Sequence, residues 1–107
     1  MNYTTYKVEV YENGNKYWLN EQGQLHNEHG PAIQYADGYK AYYLNGKLNR
    51  TDGPAIEYID GSKAYCLNGK GYSYEAWKRE VEKLKVKEMT MTELTKELGY
   101  EIKIVKE

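Results

Sequence analysis

Asn45-Gly46-Lys47-Leu48-Asn49-Arg50-Thr51-Asp52-Gly53-Pro54-Ala55-Ile56-Glu57-Tyr58 lies in the middle copy of a unit written nearly three times between Tyr11 and Gly71. Its last six residues echo Gly30-Pro31-Ala32-Ile33-Gln34-Tyr35, 23 residues earlier. Asp37-Gly38-Tyr39-Lys40-Ala41-Tyr42-Tyr43-Leu44-Asn45-Gly46-Lys47 returns as Asp60-Gly61-Ser62-Lys63-Ala64-Tyr65-Cys66-Leu67-Asn68-Gly69-Lys70, again after 23. Self-similarity at a period of about 20–50 residues marks stacked supersecondary units, each unable to bury its apolar face alone.

Within one unit the grammar is that of β-hairpins. Ala32–Tyr35 reads as a strand ending at Ala36-Asp37-Gly38, and Tyr39–Leu44 runs back to Asn45-Gly46. Both residues of an Asn-Gly pair tolerate positive φ, which suits a tight hairpin turn. Lys47–Asn49 then leads into Arg50-Thr51-Asp52-Gly53-Pro54, a loop that resets the chain before the strand Ala55–Ile59. Pro54 has no N–H to give a ladder, so it belongs at a strand's first residue or at an edge. These segments leave no room for a crossover helix, and neighbouring strands must be antiparallel.

The first copy is looser. Tyr3–Tyr11 alternates in the manner of a half-buried strand, Asn13-Gly14 reads as another hairpin turn, and Tyr17-Trp18-Leu19 returns. Asn20-Glu21-Gln22-Gly23-Gln24 forms a longer turn than its later equivalents. Counting along the copies, Tyr17, Tyr42 and Tyr65 should share one face. Trp18, Tyr43 and Cys66 should share the other, and Leu19, Leu44 and Leu67 should form a third row on the Tyr42 side.

Past Gly71 the composition changes. Tyr74, Trp77, Val81 and Leu84 are spaced for one face of an amphipathic helix from Ser73 to about Val86, with Ser73 as its N-cap. Thr90-Met91-Thr92-Glu93 fits a capping box opening a second, short helix to Leu98, with Gly99 at its C′ position. Tyr100–Lys106 alternates as a final strand. The expectation is a mainly β, α+β fold: residues 1–71 form an antiparallel β-hairpin repeat meander and residues 72–107 a helix–helix–strand cap. A repeat array needs its last face covered, which favours a cap over a dimerisation helix.

Composition narrows function by exclusion. The 107 residues carry a formal charge of −1, with neither half of the chain basic, which argues against duplex nucleic acid and against anionic membrane as partners. A single cysteine, Cys66, fits a reducing compartment, and no long apolar run is present, so a soluble cytoplasmic protein is expected. Thirteen tyrosines, two tryptophans and no phenylalanine suggest thin β-layers with wet hydroxyl tips. They also suit a surface that stacks on a ligand or partner.

No catalytic pattern competes with the repeats. His26 and His29 form the one His-x-x-His pair, yet their equivalents are Asn49 and Asp52, and no cysteine joins them as a zinc site would want. Cys66 occupies a strand position, the glycines belong to turns, and Asp37, Asp52 and Asp60 each precede glycine as turn residues do. Neither an enzyme nor a cofactor or metal is expected. Arg50 is the one arginine of the repeat region. It either pairs with Asp52 to stiffen the loop or presents a planar fork to a phosphate or carboxylate. With Tyr42, Tyr43, Tyr65, Trp18 and Asn49 it makes the candidate ligand-binding set, suited to a small nucleotide-like molecule by stacking and charge.

Leu44-Asn45-Gly46-Lys47-Leu48-Asn49-Arg50 with Asp52-Gly53-Pro54-Ala55 resembles the repeat Trp/Tyr-x-x-Asn-Gly-x-Leu-His-Arg-x-x-Gly-Pro-Ala of many small bacteriophage and giant-virus proteins. That repeat is itself similar to MORN repeats. The resemblance covers Tyr11 to Lys70, and the ending Glu93–Lys106 also looks like that of such viral proteins. The first copy keeps His26 but has Asn27, while the second keeps Arg50 but has Asn49. The resemblance implies a virus-encoded accessory protein in the host cytoplasm, acting by binding against host defence. One form is a homo-oligomer that sequesters a nucleotide-derived immune signal in a Tyr/Arg site. The alternative is an inhibitor or scaffold that grips a host defence protein with its β-repeat face.

Overall fold

In a computed structural model, residues 7–98 of the chain are described. Among the described residues nine short strands precede one helix: β1 (Lys7–Val10), β2 (Lys16–Leu19), β3 (Ile33–Gln34), β4 (Lys40–Ala41), β5 (Tyr43–Leu44), β6 (Lys47–Leu48), β7 (Ile56–Glu57), β8 (Lys63–Leu67), β9 (Lys70–Tyr72) and α1 (Tyr74–Leu98). β1-β2-β3-β4-β7-β8-β9 form one antiparallel sheet, and β5 and β6 pair as a separate hairpin. The protein is therefore a meander of β-hairpins followed by a helix, as the repeat predicts. Tyr3–Tyr6, Gly99 and the expected strand Tyr100–Lys106 lie outside the described residues.

Two kinds of turn alternate along the meander. Tyr11–Asn15, Tyr35–Tyr39 and Tyr58–Ser62 close the same way, the first residue's N–H donating to the last residue's carbonyl. In each, the second residue before the close caps it: Asn13, Asp37 and Asp60 accept the N–H of Asn15, Tyr39 and Ser62. The Ser62 hydroxyl also donates to Asp60 and, together with that backbone bond, holds its carboxyl below the usual carboxylate range. Asn45-Gly46 and Asn68-Gly69 are the second kind, with φ of 49° and 83°, then 51° and 85°. Paired positive φ is what a two-residue turn matched to strand twist demands. Asn13-Gly14 differs from the expectation here. Only Gly14 has positive φ, because Asn13 spends its side chain as an Asx cap in the manner of Asp37 and Asp60.

Register fixes the faces. Tyr17, Ile33, Ala41, Ile56 and Ala64 are cross-strand partners in one row, and Lys16, Gln34, Lys40, Glu57 and Lys63 in the next. Successive residues point to opposite faces, so the sheet has an aromatic–aliphatic side and a polar side. This corrects the expected rows in the first copy. Trp18, not Tyr17, matches Tyr42, because the N–H groups of Trp18 and Tyr42 donate to the equivalent Ala32 and Ala55 carbonyls. Leu19, which bridges to Leu25, likewise matches Tyr43, which pairs with Leu48, and Cys66, which pairs with Gly71. The loop Asn20–Gln24 holds one residue more than Leu44–Lys47, and that residue shifts everything upstream by one position.

The interior is thin. Ala32, Ala41 and Ala55 are 0% exposed, whereas no large side chain among the described residues is fully buried. Small residues here let backbone segments approach: Ala32 donates its N–H to Ala41 and accepts from Trp18, and Ala55 bonds Ala64 and Tyr42 in the same way. Ser73 caps the helix as predicted, its Oγ accepting the Ala76 N–H at 3.2 Å. The expected break before a second helix is absent, since α1 runs unbroken from Tyr74 to Leu98. Thr90-Met91-Thr92-Glu93 holds no glycine or proline, and a capping-box pattern does not stop a helix already under way. The chain divides into two compact units, residues 1–77 and 78–107, so the first turn of α1 belongs with the β-repeats.

Candidate functional site

The reset loops, residues 26–32 and 49–55, turn out to be clips between successive repeats. His26 Nδ1 accepts the backbone N–H of Asn45 at 2.8 Å, and Asn49 Oδ1 accepts that of Asn68 at 2.8 Å. Both acceptors thereby hold the turn of the following copy, so His26 and Asn49 do one job with different side chains. An accepting Nδ1 places the imidazole proton on Nε2, which faces Glu28 Oε1 at 3.5 Å. His29 contributes its backbone N–H to Asn27 Oδ1. Among the described residues no cluster of three or more potential metal ligands forms.

The next position repeats the pattern. Asn27 N–H donates to Tyr43 O, and Arg50 N–H to Cys66 O. Asn27 Nδ2 donates to the Pro31 carbonyl at 3.1 Å, and Arg50 Nη1 to the Pro54 carbonyl at 3.1 Å. Arg50 is further fixed by Nε to Asp52 Oδ1 at 2.8 Å and by the Tyr42 ring, 3.9 Å from Cζ. A methyl group on Gly53 would meet Arg50 Cζ at 2.9 Å, Nη1 at 3.1 Å and Nε at 3.2 Å. Nearly equal distances put Gly53 against the plane of the guanidinium, which is thus held between the Tyr42 ring and backbone. The Arg50 carbonyl in turn accepts the Trp77 indole N–H at 2.9 Å.

A cleft of about 370 Å³ opens between these two loops, lined in part by Glu28, His29, Tyr42, Asn49, Arg50 and Asp52. Three of the six candidate residues therefore meet. Trp18, Tyr43 and Tyr65 do not line it. Trp18 pairs with Val8 across the β1–β2 ladder, Tyr43 sits opposite Leu48, and Tyr65 packs on Tyr74 and Trp77 with centroids at 5.1 and 5.0 Å. Asp52 and, at 3.8 Å from Nη1, Glu57 pair with the single guanidinium, and Glu28 lines the same cleft. The Tyr42 ring and Gly53 stand against that guanidinium, and its hydrogen bonds among the described residues are made by Nε and Nη1.

The other face of the sheet carries an array that the candidate set missed. Tyr11, Tyr17, Tyr35, Tyr39 and Tyr58 follow one another with centroids 5.5, 5.9, 5.1 and 5.9 Å apart. Three of the four steps are edge-to-face, the favoured geometry for rings with a negative face and a positive rim. By alternation, Tyr35, Tyr39 and Tyr58 stand on the side of Ile33, Ala41 and Ile56. Tyr17 donates its hydroxyl to Tyr35 at 3.2 Å, and that bond is the main cause lifting the Tyr17 pKa to about 12. Partial burial raises Tyr39 as well. Tyr11 and Tyr58, at the two ends, are 52% and 42% exposed. The 24- and 23-residue intervals Tyr11–Tyr35–Tyr58 were available in the sequence, but the frameshift in the first copy hid which rings would meet.

Cys66 is buried, which pushes its thiol above the ordinary value and away from nucleophilic chemistry. No helix among the described residues is long and apolar enough to cross a membrane. No family model, curated protein or solved structure matches the chain.

Proposed function

We propose that the chain is a non-enzymatic binding protein that grips another protein through its tyrosine-bearing sheet face. The five-ring row carries this reading: Tyr supplies large contact area at low rotamer cost together with a polar tip, the profile of interface residues. The viral-type repeat at Leu44–Ala55 supports a virus-encoded, counter-defence setting with a host protein as target. Placing a photo-crosslinking phenylalanine at position 58, in cells expressing the protein, should trap one discrete protein adduct. The same group at position 63, on the polar row, should trap none. Adducts from position 63 alone would overturn the reading.

A second reading has its own observation, the cleft that gathers Tyr42, Asn49 and Arg50. One guanidinium with the carboxylates of Glu28, Asp52 and Glu57 near it suits a monoanionic nucleotide-type ligand better than a polyphosphate, and a second copy of the chain would close the open side. Addition of cyclic mononucleotides and dinucleotides should then raise the melting temperature, and Glu28→Gln should alter which of them binds. No shift with any of them at millimolar concentration sets this reading aside.

A further inference from the structure

We propose that the tyrosine row is a docking track for a proline-rich segment of the partner in the polyproline II conformation. The proposal rests on the protein-binding reading above and adds the chemistry of the partner. Spacing comes first. Steps of 5.1 to 5.9 Å put alternate rings on the order of 10 Å apart, close to the roughly 9 Å turn of a polyproline II helix. Successive rings at 89° and 72° do not form a flat wall. They leave notches between ring faces and edges, in which a pyrrolidine ring can sit as it does in the aromatic grooves that read such segments.

Hydrogen-bonding capacity agrees. A polyproline II backbone has no internal hydrogen bonds and presents its carbonyls outward. Among the described residues the Tyr39 and Tyr58 hydroxyls have no protein hydrogen-bond partner, and Tyr35, which accepts from Tyr17, keeps its own proton to donate. Charge excludes the main alternative that also stacks on aromatic rows. Single-stranded nucleic acid needs a cationic groove, but Lys16, Lys40 and Lys63 stand in the row of the opposite face. A second copy of this chain cannot supply the segment either. Its two prolines, Pro31 and Pro54, sit in reset loops with their carbonyls held by Asn27 and Arg50.

Fluorescence anisotropy of a fluorescein-labelled ten-residue polyproline, titrated with the full chain, tests this. Saturable binding is expected, with an alanine/glycine peptide of equal length at least tenfold weaker. Tyr11→Ser and Tyr58→Ser, both at exposed ends of the row, should each weaken it about fivefold; each also gives up one edge-to-face contact, so the thermal midpoint should fall by only a few degrees and the chain stay folded at the assay temperature. Absence of saturation at millimolar protein, equal binding of the control peptide, or indifference to both substitutions would each overturn the proposal. If polyproline fails while the crosslinker at position 58 still traps a protein, the face remains the binding surface and only the partner's chemistry is wrong. If both fail, the face itself is not the site.

Discussion

Asn27 and Arg50 show how one backbone contact can be made by unlike side chains. Each holds the carbonyl of the proline four residues on, yet the larger one needs the glycine beneath it. Gly53→Ala should therefore cost about 1–3 kcal/mol by overpacking. Gly30→Ala, whose new methyl meets only Asn27 Nδ2 at 3.6 Å, should be near neutral. Adding Arg50→Asn to Gly53→Ala should recover most of the loss, and chemical denaturation reads all three. The Tyr17–Tyr35 hydroxyl bond makes a second residue-scale prediction. Because the folded state holds the Tyr17 proton more tightly, its contribution to stability is complete below pH 10. It is lost as pH rises from 10 through about 12. Tyr35→Phe should bring the ionisation of Tyr17, followed by near-ultraviolet absorbance, back toward 10. A titration unmoved by that change would assign the shift to something other than this bond.

At the scale of elements, what the sequence made legible was whatever depends on nearest neighbours. Asn45-Gly46 and Asn68-Gly69 took the predicted turn because positive φ is a local requirement. The Ser73 cap was legible for the same reason, and Ser73→Ala should lower stability by about 1 kcal/mol, which thermal unfolding registers as a loss of roughly 4 °C or more. Phase across copies was not legible. The extra residue between Leu19 and Leu25 could sit in the turn or as a bulge, and only pairing decides. The continuity of α1 through Thr90–Glu93 was also hidden, because a capping box signals a possible start, whereas propagation needs only the absence of a breaker.

For the whole molecule, the division of labour differs from the one suggested by residue types. His26, Asn49 and Arg50 drew notice as chemical groups, but His26 and Asn49 hold the turn of the following repeat, and Arg50, like Asn27, closes its own reset loop on a proline carbonyl. Residue identity alone could not separate a clip from a ligand fork, since both use the same donors. The tyrosines were conspicuous by number, while the five that line up come from β-strand ends and turns scattered over 48 positions from Tyr11 to Tyr58. In the proposed function the loops serve cohesion and the tyrosine row recognition. Partner capture by a photo-crosslinker at position 58, compared between Arg50→Asn and Tyr11→Ser, separates these roles most directly. Unchanged capture with Arg50→Asn and a severalfold loss with Tyr11→Ser are expected; capture abolished by Arg50→Asn in a folded chain, and unaffected by Tyr11→Ser, would contradict this division of roles.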